Sequence, residues 1–188
     1  MQHDTKVEKR KIRVLMAKPG IDTHWRGAIV IAQALRDAGM EVIYSGTYKS
    51  PEMIVNMAIE EDVDVIAMSF MGGSHVPLSR EVTKLIDEKD ARDICRVAGG
   101  VIRDTDKGVL KGMGITGHYG PGTPMDLIVG HITQRVRRER WSQPVCCKEC
   151  AMFFPTEGNQ GKVECNGMVV SHDTEVTDCL DFRFAVTP

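Results

Sequence analysis

The 188-residue chain is long enough for one domain of ordinary size plus a small appendage, and too short for two large domains. Hydrophobic residues at 42 % and charged residues at 27 % are ordinary for a globular protein, and a net charge of −2 argues against nucleic acid as a partner. No apolar run reaches membrane-span length, and "MQHDTKVEKRK" lacks the apolar core of a signal peptide, so a cytoplasmic protein with no membrane partner is expected.

Residues 1–10 are polar and aperiodic, and read as a flexible lead-in. A regular alternation then begins. The β-branched run "IRVLMA" (12–17) predicts a buried strand, and "AIVIAQALRDAG" (28–39) a helix, with Ile31, Ala34, Leu35 and Ala38 at helical spacing and Gly39 as its stop. A second strand follows at 41–46. The next helix is marked by Ser50 as N-cap, Pro51 in the first turn and Glu52 after it, with Ile54, Met57 and Ala58 on one face. Three more units repeat the pattern: strand 64–70 with helix 79–89, strand 94–100 with helix 104–114, and strand 115–120 with helix 124–138.

Strands alternating with helices of this length mean βαβ units. Residues 11–141 are therefore expected to form an α/β, flavodoxin-like (Rossmann-type) doubly wound sheet of five parallel strands in the order 2-1-3-4-5. The basic run "RVRRER" (135–140) reads as a solvated helix end, and Cys95 as a buried strand residue. After Trp141 the alternation stops. Residues 142–188 hold Cys146, Cys147, Cys150, Cys165 and Cys179 among turn residues, a stretch too short to fold without a staple, so a metal or a partner is expected there.

In an open parallel sheet the ligand lies beyond the carboxyl ends of the strands, where the strand order reverses. The unusual residues fall at those ends: "GIDTHWRG" after strand 1, "SFMGGSH" after strand 3, "GGVIRD" after strand 4 and "YGPGT" after strand 5. Neither GxGxxG nor GxxxxGK[ST] follows strand 1, which argues against a phosphate loop. That loop offers an imidazole instead. With Asp22 fixing its tautomer, His24 becomes a metal donor, and a single donor suits the axial position of a metal already held by a macrocycle. Taken alone, Asp22 and His24 read more readily as a helix cap and a surface residue than as a ligand site, Trp25 equally as a corrin contact or an exposed aromatic at a subunit interface, and His75 and His118 as further residues of the same rim.

At this point the residues carry a resemblance. Gly20, Asp22, His24 and Gly27 match the DxHxxG signature, Ser69 to Met71 stands where SxL is usual, and Gly99 and Gly100 match the GG of cobalamin-binding domains. Roughly residues 11–135 resemble the cobalamin-binding domains or small subunits of adenosylcobalamin-dependent acyl-CoA mutases of the methylmalonyl-CoA mutase type. The resemblance implies that His24 is the lower cobalt ligand and that Asp22 tunes it. Gly27 would make room for the displaced nucleotide tail, Ser69 would bond it, and Gly99, Gly100, Gly120 and Gly122 would line its channel. Thr23, Arg26, Met71, Gly73 and Tyr119 complete the implied cofactor-binding set, and Thr123 is expected to cap the last helix. Met71 in place of leucine and the loop from Gly72 to Leu78 depart from the usual form.

The resemblance also implies a division of labour. This chain would hold adenosylcobalamin base-off and His-on, without catalysing alone, and a TIM-barrel large subunit would bind the acyl-CoA. A corrinoid methyl carrier uses the same loop, but such carriers place a helical bundle ahead of it, where here only ten polar residues precede strand 1. A non-enzymatic cobalamin sensor or delivery protein is the other alternative. In the tail, Cys147, Cys150, Cys165 and Cys179 resemble the ligands of small iron–sulfur subunits of benzylsuccinate synthase-like glycyl radical enzymes, implying a 4Fe–4S cluster. Zinc and free thiols are the alternatives.

Overall fold

The computed structural model describes residues 10–141 and, as backbone only, residues 162–165 and 168–171. In chain order the elements are β1 (Arg13–Ala17), α1 (Arg26–Asp37), β2 (Glu41–Tyr44), α2 (Pro51–Glu60), β3 (Val65–Phe70), α3 (His75–Glu88), β4 (Cys95–Gly100), α4 (Asp104–Gly112), β5 (Ile115–Tyr119) and α5 (Met125–Arg135). A π-helical turn, Val136–Arg140, continues α5. Strands β1 to β5 pair in parallel in the order 2-1-3-4-5, as expected from the alternation. Two further strands, β6 (Lys162–Cys165) and β7 (Met168–Ser171), form an antiparallel pair. The proposed Cys ligands otherwise lie outside the described residues, and of Cys165 only the backbone is described.

Helices cover both faces of the sheet, which is why its strands read as continuous apolar runs. Leu15, Ile66 and Met68 face one way and pack with Ile54, Val82, Ile86 and Leu110 of α2, α3 and α4. Val14, Met16, Val65 and Val97 face the other way and pack with Ala32, Leu35, Ile128 and Ile132 of α1 and α5. Two layers sharing one sheet leave the strand ends open, and the upper ends carry the loops of interest.

Ser50 caps α2 as expected, its hydroxyl accepting the Met53 N–H at 3.2 Å. Three local expectations are corrected. Helix α1 begins two residues early and buries Ala28, Ala32 and Leu35, leaving Ala38 exposed, because its inward stripe is set by where β1 delivers the chain. Helix α3 begins at His75, four residues before the expected start, so most of the segment up to Leu78 is helix. The run 135–140 is no solvated end: Arg135 donates to the Arg96 carbonyl at 3.2 Å and pairs with Glu139, while Arg140 pairs with Asp62, Asp64 and Asp93.

The last of these contacts closes the lower end of the sheet. Asp64, just ahead of β3, is wholly buried and accepts from the Arg13 N–H at 2.9 Å, Arg140 Nε at 3.2 Å, Trp141 Nε1 at 3.0 Å and Arg10 at 3.2 Å. Four donors on one carboxylate tie both ends of the described domain to its central strand.

Candidate functional site

Strand β1 ends at Ala17, and the next residue is a lysine with no solvent exposure. A buried ammonium needs partners. Lys18 Nζ pairs with the Asp22 carboxylate and donates to the Ser69 carbonyl, 3.1 Å away at the end of β3. Sequence reasoning missed Lys18. Its signal was a charged residue ending an apolar strand, four residues before an aspartate.

Asp22 is the hub of the loop. Its Oδ1 accepts the His24 N–H at 2.9 Å and faces His24 Nδ1 at 2.9 Å, and its Oδ2 accepts the Met71 N–H at 2.8 Å. Burial pushes the carboxyl's pKa up, but Lys18, the two backbone N–H groups and the His24 ring outweigh it and hold Asp22 well below the usual carboxylate range. Asp22 is therefore ionised and can only accept, so Nδ1 of His24 carries the hydrogen. The His24 side chain is 65 % exposed, and Nε2 is the ring nitrogen left to donate an electron pair.

Beside His24 opens a cleft of about 640 Å³ between α1, α5 and the upper ends of β1, β3 and β4. Its floor is apolar, built from Met16, Ala67, Val97, Ile128 and Ile132, and its rim carries Ser69 and the strand-end glycines. Gly100 has φ +108°, and a Cβ there would lie 1.9 Å from the Phe70 carbonyl oxygen, so only glycine lets β4 turn away beside β3. The result is a slot walled largely by backbone and apolar groups, which suits a flat, mainly apolar group.

Most of the expected set meets here. Thr23, His24, Arg26, Gly27, Ser69, Met71, Gly99, Gly100, Tyr119, Gly120, Gly122 and Thr123 all line the cleft, as does Trp25. Asp22 is not among the lining residues and acts through His24, and Gly73 does not line the cleft either. The side chain of Met71 is exposed and its contact with Asp22 is main-chain, so exchanging leucine for methionine leaves that contact intact. Thr123 does not cap α5: its hydroxyl donates back to the Gly120 carbonyl at 2.8 Å, which closes the turn, and Pro124 precedes the helix. His75 leaves the rim because it is buried in α3 with Nε2 2.8 Å from Asp106, and His118 does not line the cleft. Among the described residues there is no cluster of three or more His, Cys, Asp or Glu that could hold a metal ion.

Residues 12–128 match the B12 binding domain. The chain belongs to the B12-binding domain family. Over 130 residues this B12-binding domain is 43 % identical to the 2-hydroxyisobutanoyl-CoA mutase small subunit of Aquincola tertiaricarbonis, covering 69 % of this chain and 96 % of the relative. It is also 43 % identical over 116 residues to methylmalonyl-CoA mutase of Escherichia coli, covering 62 % of this chain but only 16 % of that much longer protein. Among solved structures, a cobalamin-binding protein from Desulfitobacterium hafniense superposes with a TM-score of 0.50 at 17 % identity, over 58 % of this chain and 54 % of that one, a likeness of fold.

Proposed function

We propose that this chain is the cobalamin-binding small subunit of an adenosylcobalamin-dependent acyl-CoA mutase, an isomerase, and that it works with a separate large subunit. The observation that carries the reading is the Lys18–Asp22–His24 relay poised at the mouth of an apolar, glycine-walled cleft. The alignment with nearly the full length of a mutase small subunit supports the same assignment and favours it over a methyl carrier. Bound adenosylcobalamin supplies the radical chemistry.

The chain's own residues hold and orient. His24 Nε2 would serve as the lower cobalt ligand, and the Asp22 carboxylate, accepting from Nδ1, raises the donor strength of that nitrogen. Lys18 fixes Asp22 from behind and ties it to β3 through the Ser69 carbonyl. Gly27, Ser69, Gly99, Gly100 and Tyr119 would hold the nucleotide tail within the cleft. The acyl-CoA belongs to the large subunit, for which a TIM barrel is proposed. We also propose the cytoplasm as its site of action; no helix among the described residues is long and apolar enough to cross a membrane.

The test is an absorption spectrum of the purified chain with added adenosylcobalamin. A base-off, His-ligated spectrum is expected, and it should be lost in His24→Ala. A spectrum identical to free cobalamin with the unaltered chain would overturn the reading. For the tail, we propose that Cys147, Cys150, Cys165 and Cys179 hold a 4Fe–4S cluster, with zinc as the alternative, on the support of their spacing. Metal analysis of anaerobically purified protein separates the two: iron with sulfide supports the cluster, whereas zinc alone overturns it.

A further inference from the structure

Tyr119 lines the cleft at the end of β5, and its ring is held from behind. The Tyr119 ring is packed between two glycines. A Cβ on Gly117, which has φ +90°, would stand 2.6 Å from Tyr119 Cζ and 3.0 Å from its Oη, and a Cβ on Gly99 would stand 3.4 Å from Tyr119 Cβ and 3.5 Å from Cδ2. The far end of the ring is pinned as well: Tyr119 Oη lies 2.6 Å from Nδ1 of His131, and the two rings meet edge to face at 5.8 Å.

His131 is buried on α5, beside the cleft-floor residue Ile132, and its other nitrogen also has a partner. Nε2 stands 3.4 Å from Thr116 Oγ1, which in turn accepts from the partly buried Arg135. An imidazole with both nitrogens engaged cannot turn without breaking a buried contact. An unpinned tyrosine, in contrast, would be free to swing into the space it borders.

We propose that His131 and Gly117 are positioning residues that lock the Tyr119 ring as a preformed wall for the flat heteroaromatic base of the corrinoid tail. This inference rests on the cobalamin reading and deepens it. Neither residue carries a motif in the sequence. The role is preorganisation: a wall already in place spares the ligand the ordering of a buried aromatic side chain when it binds.

Comparing two corrinoids isolates the effect. Cobalamin carries the nucleotide tail, while cobinamide has the same corrin and cobalt without it, so a defect confined to the tail wall should weaken only the first. In His131→Phe, which keeps the ring volume and removes the hydrogen bonds, the Kd for cobalamin is expected to rise roughly tenfold while that for cobinamide stays unchanged. Tyr119→Phe, which leaves His131 in place, should show the same selective loss, and His131→Gln should recover part of the affinity. Unchanged cobalamin binding in both Phe variants would overturn the proposal, as would an equal loss for both corrinoids, the mark of a merely structural role. Failure of the unaltered chain to bind either corrinoid would instead overturn the cobalamin reading itself.

Discussion

Replacing Asp22 with alanine is expected to destabilise the domain by about 3–5 kcal/mol and, separately, to weaken corrinoid binding by roughly ten- to a hundredfold. The stability loss follows from burial. Lys18 has no solvent exposure, so removing its carboxylate leaves an ammonium with only the Ser69 carbonyl, and the N–H groups of His24 and Met71 lose their acceptor as well. The affinity loss follows from His24, whose Nδ1 would no longer be oriented. The double variant Lys18→Met/Asp22→Ala separates the two: it should regain most of the stability, since no buried charge is left unpaired, and none of the affinity. Urea unfolding and a cobalamin titration read the two quantities, and a cost below about 1 kcal/mol in the single variant would sink the account.

The same pair fixes a pH dependence. A carboxyl held below its ordinary value of 3.8 contributes its full stabilisation above that value and loses it only as the pH falls toward the native-state pKa. Acid unfolding of the unaltered domain should therefore steepen below about pH 4, and Asp22→Ala should flatten that limb.

Asp64→Ala is expected to cost a comparable 3–5 kcal/mol, or roughly 10–20 °C in Tm, while leaving corrinoid affinity of the folded protein unchanged. Asp64 is wholly buried, and Arg140, which it shares with Asp62 and Asp93, is nearly so. Its removal takes from that guanidinium its one buried partner, leaving only the exposed Asp62 and Asp93, and leaves the Trp141 indole N–H and the Arg13 amide without their acceptor. Because Asp64 precedes β3 while Ser69 and Met71 lie at the strand's other end, the damage is confined to the edge away from the cleft. Thermal unfolding with and without cobalamin checks both halves, and a loss of affinity in the folded variant would contradict the separation.

The contrast between these two aspartates shows what kind of information a sequence carries. Hydropathy periodicity is local, so the order of strands and helices, the parallel sheet and the rim on which polar loops gather were all legible along the chain, as was the Ser50 cap. Asp22 and His24 were legible too, because their contact spans only two residues within one turn. The start of α3 was not, since Ser74 makes no side-chain capping bond and the helix is fixed instead by burying His75 against Asp106.

What the tertiary structure alone decided are the partners of buried polar groups. Lys18 meets Ser69 across 51 residues, Asp22 meets Met71 across 49, and Arg140 meets Asp64 across 76. A charge that must leave water takes whatever counter-charge the register of the sheet brings within reach, and register is a property of the assembled strands. The order of strands and helices and the Asp22–His24 turn of this B12-binding domain were thus legible along the chain. Only the packed sheet brings a buried lysine against the aspartate that faces His24, and a histidine of the last helix against Tyr119.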